Sequence, residues 1–255
     1  MNKKLSNKAS IITGSARGIG AASAIALAKE GSHIVLVDVL DCTDTREAIL
    51  NVNPDVEVLT YNIDIKERAS IENVVRETVD HFGSIDIVVN NAGTCSRLNL
   101  EHITDEMWFR DINTNLRGTF LFSQAAIYPH MKKQQSGKII NISSISGIMG
   151  GPFSEGKGNS EEGGRSGPAY AASKGGVIAL TKWIAKEVGE FGINCNSIAP
   201  GPIETAITEG MNYQLNQAIK RMGTSEDIAD AVVYLASADY VTGEVLKVCG
   251  GSAIG

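Results

Sequence analysis

Tyr170 and Lys174 stand four residues apart in Tyr170-Ala171-Ala172-Ser173-Lys174. In a helix, that spacing puts a phenol and an ammonium on one face, aimed into the same space. A phenol titrates near ~10, so service as a base near neutral pH requires a shift of roughly three units, or about 4 kcal/mol. One cation about 4 Å away supplies on the order of 4 kcal/mol at an effective dielectric of ~20. The pair has the magnitude of a proton-transfer device. The alternative is a surface helix that carries both residues by coincidence.

The elements that must position such a pair begin at the N-terminus. Residues 9–13 form a β-prone run that ends in Gly14-Ser15-Ala16-Arg17-Gly18-Ile19-Gly20, and an Ala-rich helical pattern continues to about residue 30. Glycines let the backbone approach a pyrophosphate, and the helix start favours that anion. A plain tight turn is the competing reading. The next strand, 34–37, is unbroken apolar, as a strand covered on both faces should be, and it ends at Asp38. Asp38 lies eighteen positions after Gly20, near the spacing of an acid that accepts from the ribose hydroxyls of an adenine dinucleotide. Its carboxylate would repel a 2'-phosphate at ~4 Å by on the order of 4 kcal/mol at a dielectric of ~20, so NAD is expected over NADP. Arg17 pulls weakly the other way, and an ordinary strand-end acid remains the alternative for Asp38.

Further strands are read at 56–60, 85–89, 138–142, 193–198 and 244–248, with helices at 66–81, 105–133 and 225–236. Asp64 falls either where an adenine would lie or at a helix cap. Pro129 kinks the 105–133 helix, and Ala199-Pro200-Gly201-Pro202 breaks the sixth strand. The alternation predicts an α/β fold, a single Rossmann-like doubly wound domain over 1–255 with a seven-stranded parallel sheet. Residues 150–168 interrupt the rhythm with seven glycines and two prolines, and read as a loop insertion that is either a substrate lid or a surface excursion.

Composition narrows the function classes. A formal net charge of -6, with no basic run beyond Lys3-Lys4 and Lys132-Lys133, argues against a nucleic-acid partner. No stretch reaches the roughly 18 apolar residues of a membrane span, and no signal-peptide core is present, so a cytoplasmic location is expected. Cys42, Cys95, Cys195 and Cys249 form no C-x-x-C pair, which points to reduced thiols and to no metal site.

Taken together, these pieces resemble the short-chain dehydrogenase/reductase family over essentially the full length. The matching segments are Thr13 with Gly14-Ser15-Ala16-Arg17-Gly18-Ile19-Gly20, Asn90-Asn91-Ala92-Gly93, Asn115 within Asn113-Thr114-Asn115-Leu116-Arg117-Gly118, Ser144, Tyr170 with Lys174, and Pro200-Gly201. The resemblance implies Tyr170 as general acid/base, Lys174 as its pKa-lowering partner and ribose ligand, Ser144 as the hydroxyl that polarises the carbonyl, and Asn115 as holder of a proton-relay water. It leaves Ser143 as the alternative to Ser144. It further implies cofactor contacts from the glycine turn, Asp38, Asp64, Ile65, Asn91, Ala92, Gly93, Pro200, Gly201, Ile203 and Thr205, with Asn90 lining the cleft. Strand order 3-2-1-4-5-6-7 and a homotetramer follow by the same analogy. The segment before Tyr170 is longer than the family pattern, that after Thr205 shorter, and Cys249 replaces a common Asp near the C-terminal Gly-Gly.

The expected activity is NAD-dependent interconversion of a secondary alcohol and a ketone, the substrate being a steroid, polyol, sugar or cyclic alcohol. Reduction of a 3-oxoacyl thioester, which in this family usually uses NADPH, is one alternative, and a non-catalytic NAD-binding regulator is another. Cys95 and Arg97 follow the Asn-Ala-Gly turn; Arg97 either pairs with an anionic substrate group or is a solvated loop arginine.

Overall fold

The computed structural model describes residues 3–151, 154–155, 166–210, 212–213 and 215–254. Its sheet has seven parallel strands: β1 (Ala9–Thr13), β2 (His33–Asp38), β3 (Val58–Asn62), β4 (Ile87–Asn90), β5 (Gly137–Ile142), β6 (Ile193–Pro200) and β7 (Val245–Val248). They lie in the order β3-β2-β1-β4-β5-β6-β7, which is the expected Rossmann-like, doubly wound arrangement. Ile34, Val35, Leu36 and Val37 are all fully buried, so successive side chains of β2 find apolar cover on both faces of the sheet.

Strand alternation sends neighbouring residues to two cores. On one side Ile12, Ile34 and Leu36 meet Leu27 of α1 (Gly18–Lys29), Ile49 of α2 (Thr43–Val52) and Val232 of α7 (Ser225–Ser237). On the other, Ile11, Val35 and Val37 meet Val74 of α3 (Arg68–Phe82), Phe122 of α5 (Gly118–Ala125) and Ile184 of α6 (Pro168–Val188). Helix α4 (Asp105–Asp111) runs into α5 through a wide π turn, Ile112–Arg117. The helical path beyond α5 kinks at Tyr128, before the expected Pro129. Strand order reverses about β1, and β2 and β4 diverge on either side of it, which opens a crevice at their carboxyl ends.

Three differences from the sequence reading have a physical reason. β3 sits two residues later, because an edge strand with exposed Thr60 and Asn62 has no unbroken apolar run to fix its register. Helix α2 had no sequence signal, since Thr45 and Ile49 are its only buried side chains. Pro200 ends β6 rather than breaking it: it pairs with Val248, and its carbonyl accepts from Ile145 N at 3.0 Å, so the missing N–H is never needed.

The loop insertion at 150–168, read as a possible lid, falls mostly outside the described residues. Its described part includes the two-residue pairing of Ser154–Glu155 with Asn212–Tyr213. Among the described residues, no helix is long and apolar enough to cross a membrane, and no cluster of His, Cys, Asp and Glu is arranged to hold a metal ion. All four cysteines are free.

Candidate active site

The crevice is a cleft of about 490 Å³, within the range of small-molecule sites. Its wall gathers Gly14, Arg17, Gly18, Ile19, Asp38, Asp64, Ile65, Asn91, Ala92, Gly93 and Thr205, residues that the sequence scatters over almost two hundred positions. Gly14 has φ +67°, and a Cβ there would fall 2.7 Å from Ala92 Cα, so only glycine lets the turn and the β4 end close up into a cradle. Asp38 is fixed at the cleft wall, with Oδ2 accepting from Ala16 N at 2.9 Å and Oδ1 from Leu40 N at 3.0 Å. This arrangement fits an adenine dinucleotide: backbone at a helix start for the pyrophosphate, and an anchored carboxylate at the ribose end.

Three expected contacts lie elsewhere. Ser15 is buried behind the cleft wall with Oγ donating to Val37 O at 3.3 Å. Gly20 packs on the Gly14 carbonyl, where a Cβ would come within 2.0 Å, so it serves helix packing rather than the cleft. Asn90 is turned into the sheet core, donating to Ser123 Oγ at 3.1 Å and Asn141 Oδ1 at 2.8 Å.

Beyond the cleft, a cavity of about 100 Å³ is walled by Ser144, Tyr170, Lys174, Pro200, Gly201, Ile203 and Thr205. Tyr170 comes from the first turn of α6, whose N-cap Gly167 lies so near Ser96 O that a Cβ would approach to 1.8 Å. Lys174 Nζ is 5.7 Å from the Tyr170 ring centroid and donates to Ile142 O at 2.7 Å. Ser144 walls the same cavity as Tyr170, and its Oγ accepts from Ser146 N at 3.0 Å. Ser143 lines the cavity too, but its hydroxyl is taken up within the protein, Oγ donating to Ile198 O at 2.8 Å and accepting from Ser197 Oγ at 2.7 Å. At Cys249, where the family pattern carries an Asp, the backbone carbonyl accepts from Ser252 N at 3.1 Å and Oγ at 2.9 Å.

Asn115 lines none of these cavities. It is buried in the π turn, and its side chain is spent on the loop after β4: Oδ1 accepts from Thr94 N at 2.8 Å, and Nδ2 donates to Thr94 O and Ser173 Oγ, each at 2.9 Å. The sequence reading missed the partner in this work, Asp111. Its fully buried carboxylate accepts from Thr94 Oγ1 at 2.8 Å and Ser96 N at 2.7 Å, while Arg110 Nη2 donates to Ser96 Oγ at 2.7 Å. The available signal was an acid four positions before Asn115 on one helical face.

Electrostatics correct the opening estimate. Burial pushes the Tyr170 phenol above its ordinary range, and the Cys95 thiol pushes the same way; Ser144 and the Arg97 guanidinium oppose them. Lys174 does not lower it, because its own ammonium is held down, to about 8, by burial, and it is turned to the Ile142 carbonyl. Between about 8 and the ordinary 10.5, the unfolded chain keeps the lysine proton while the folded chain releases it. The resulting stability is present in full above 10.5 and is lost as pH falls through about 8. Lys174→Met should therefore abolish a pH-dependent increment of about 3 kcal/mol. Urea unfolding of both proteins across this window measures it, and a constant difference between them would show that the ammonium is not desolvated.

Comparison with known proteins follows the same geometry. Residues 14–253 match the family model described as Enoyl-(Acyl carrier protein) reductase. The 3-oxoacyl-(acyl-carrier-protein) reductase FabG of Thermotoga maritima is 36% identical over 264 residues, covering 98% of this chain and 100% of that protein. Among solved structures, Levodione Reductase is similar with a TM-score of 0.85 at 33% identity, over 97% of this chain and 98% of that one. A short chain dehydrogenase from Mycobacterium paratuberculosis bound to NAD gives a TM-score of 0.87 at 27% identity, over 98% of each chain.

Proposed function

Because the chain belongs to the short-chain dehydrogenase/reductase family, and is an oxidoreductase of that family, we propose that it interconverts a secondary alcohol and a ketone with NAD. The observation that carries this reading is the shared wall: Asn91, Gly93 and Thr205 border both the large cleft and the cavity that holds Tyr170, Ser144 and Lys174. A dinucleotide lying in the cleft ends where those three side chains begin.

When bound, the nicotinamide supplies the hydride acceptor or donor. In the oxidative direction the carbinol carbon gives up hydride and Tyr170 takes the hydroxyl proton, so charge and protons balance. Ser144 donates to the substrate oxygen as charge develops there. Lys174 stands beside the phenol with its Nζ donating to Ile142 O, on the wall of the cavity next to Asn91 and Gly93, where it would hold the ribose of the dinucleotide. Asn115 acts at one remove, fixing the Thr94 loop.

Asp38 supports NAD over NADP, and the NAD-bound structural relative is in keeping with it. The 3-oxoacyl-thioester reductase reading stays second, favoured by the FabG relative; a regulator without turnover is a poor fit to a complete Ser144, Tyr170 and Lys174 set. The same proposal includes a single domain, a cytoplasmic location and a homotetramer, for which Phe120 and Trp183 stand exposed on α5 and α6. The test is a screen of NAD and NADP against secondary alcohols and their ketones, with a 3-oxoacyl thioester as competitor and sedimentation at micromolar concentration alongside. Turnover of the thioester with NADPH far above any alcohol would replace the first reading by the second, and a monomer would remove the tetramer.

A further inference from the structure

The cavities at the carboxyl end of the sheet run in series. The chamber of about 100 Å³ shares Ser144, Tyr170 and Gly201 with one of about 60 Å³ on the side away from Asn91 and Lys174. That last chamber is walled by Arg97 together with the hydroxyls of Ser146, Ser166, Thr208 and Tyr213. Ile145, Pro202 and Ile207 complete the wall, so the capacity of the chamber to take an anionic group rests on Arg97.

Arg97 is half-buried there, and the Nη2 of its guanidinium donates to Ile207 O at 3.0 Å and Tyr213 OH at 3.2 Å. A guanidinium has five N–H donors, and among the described residues those on Nε and Nη1 have no acceptor. Among the described residues, Arg97 is in no ion pair. Its loop is pinned in advance by the Asp111 bonds to Thr94 and Ser96 and by the Arg110 bond to Ser96. A preorganised fork beside the catalytic hydroxyls is matched by a planar anion with two oxygens.

We infer that Arg97 binds a carboxylate of the substrate, so that the secondary alcohol oxidised at Tyr170 belongs to a short hydroxy acid. The inference rests on the alcohol dehydrogenase reading and names its substrate class. One arginine matches the single charge of a carboxylate, and a chamber of about 60 Å³ suits a short spacer between carbinol carbon and anion. A thioester, being neutral, gains nothing from it.

The experiment pairs short-chain 2-, 3- and 4-hydroxycarboxylates with their methyl esters, using the full chain and NAD or NADP. The readout is the ratio of kcat/KM for acid over ester within each protein, so that a smaller folded fraction cancels. The wild type should prefer the acid by roughly 10- to 100-fold, the range of a hydrogen bond to a charged group. Arg97→Met should bring the ratio near one, mainly through the KM of the acid, and Arg97→Lys should retain part of it. Equal use of acid and ester by the wild type, or a ratio unmoved by Arg97→Met, overturns the inference while leaving the dehydrogenase reading intact. If no alcohol turns over with either cofactor, that reading fails, and calorimetric titration of 3-hydroxybutanoate into wild type and Arg97→Met decides the site: tighter binding by the wild type supports it, equal or absent binding overturns it.

Discussion

Tyr170→Phe is expected to lower kcat for alcohol oxidation by ~10²- to 10⁴-fold, the usual contribution of a positioned acid/base, while NAD binding is retained. The substitution removes one oxygen. The ring still packs at the start of α6, and the cleft for the dinucleotide is made by other residues. What disappears is the phenol that, beside Ser144, walls both small chambers at the point where they meet. Burial favours the neutral phenol in this structure, so the protonated form suits donation to a ketone oxygen, and alcohol oxidation should accelerate as pH rises towards the phenol's elevated range. Tyr170→Phe should lose that acceleration together with the rate. Stopped-flow measurement of hydride transfer, with dinucleotide binding followed by fluorescence, separates the two effects. Retention of more than about a tenth of the wild-type rate would remove Tyr170 as the base, since that loss is below what acid/base catalysis supplies.

Much of this site is legible from local sequence because its parts sit at strand ends. The apolar runs of β2 and β5 stop at Asp38 and at the serine pair, and a parallel sheet brings all its carboxyl ends to one side. Legibility fails where a residue's work is decided by a partner far along the chain. Asn115 reads as a site residue, and its side-chain amide bonds Thr94 and Ser173, partners that only the fold brings to it. Asp111 gives almost no local signal, because a buried carboxylate inside a helix looks like any surface acid until its acceptors are known. The Tyr170–Lys174 spacing put the two side chains on one face, as a helix requires. It said nothing of burial, and burial reversed the direction of the phenol's titration. Ser143 and Ser144 both line the chamber and differ in their partners, which lie far along the chain for the first alone: Ile198 and Ser197 take up the Ser143 hydroxyl, whereas Ser144 Oγ accepts from Ser146 N.

Asp38→Asn is expected to raise the ratio of kcat/KM with NADP to that with NAD by up to ~10³-fold. The carboxylate of the wild type stands at the cleft wall, where a 2'-phosphate would approach to about 4 Å and meet on the order of 4 kcal/mol of repulsion at an effective dielectric of ~20. Salt screens this little, because the Debye length of ~10 Å at 0.1 M exceeds the separation. The amide keeps an acceptor for Ala16 N or Leu40 N, so the turn and the β2 end stay joined, and the ribose hydroxyls lose a charge-assisted bond. Arg17, on the same cleft wall, favours the phosphate and is no longer opposed by Asp38. Both terms act in one direction, towards NADP. Initial rates with each cofactor at saturating alcohol give the ratio directly. A wild type that already prefers NADP, or a ratio that does not move in the variant, would mean that Asp38 only braces the glycine turn; the case for the alcohol reading over an NADPH-linked thioester reductase would then rest on the substrate chamber alone.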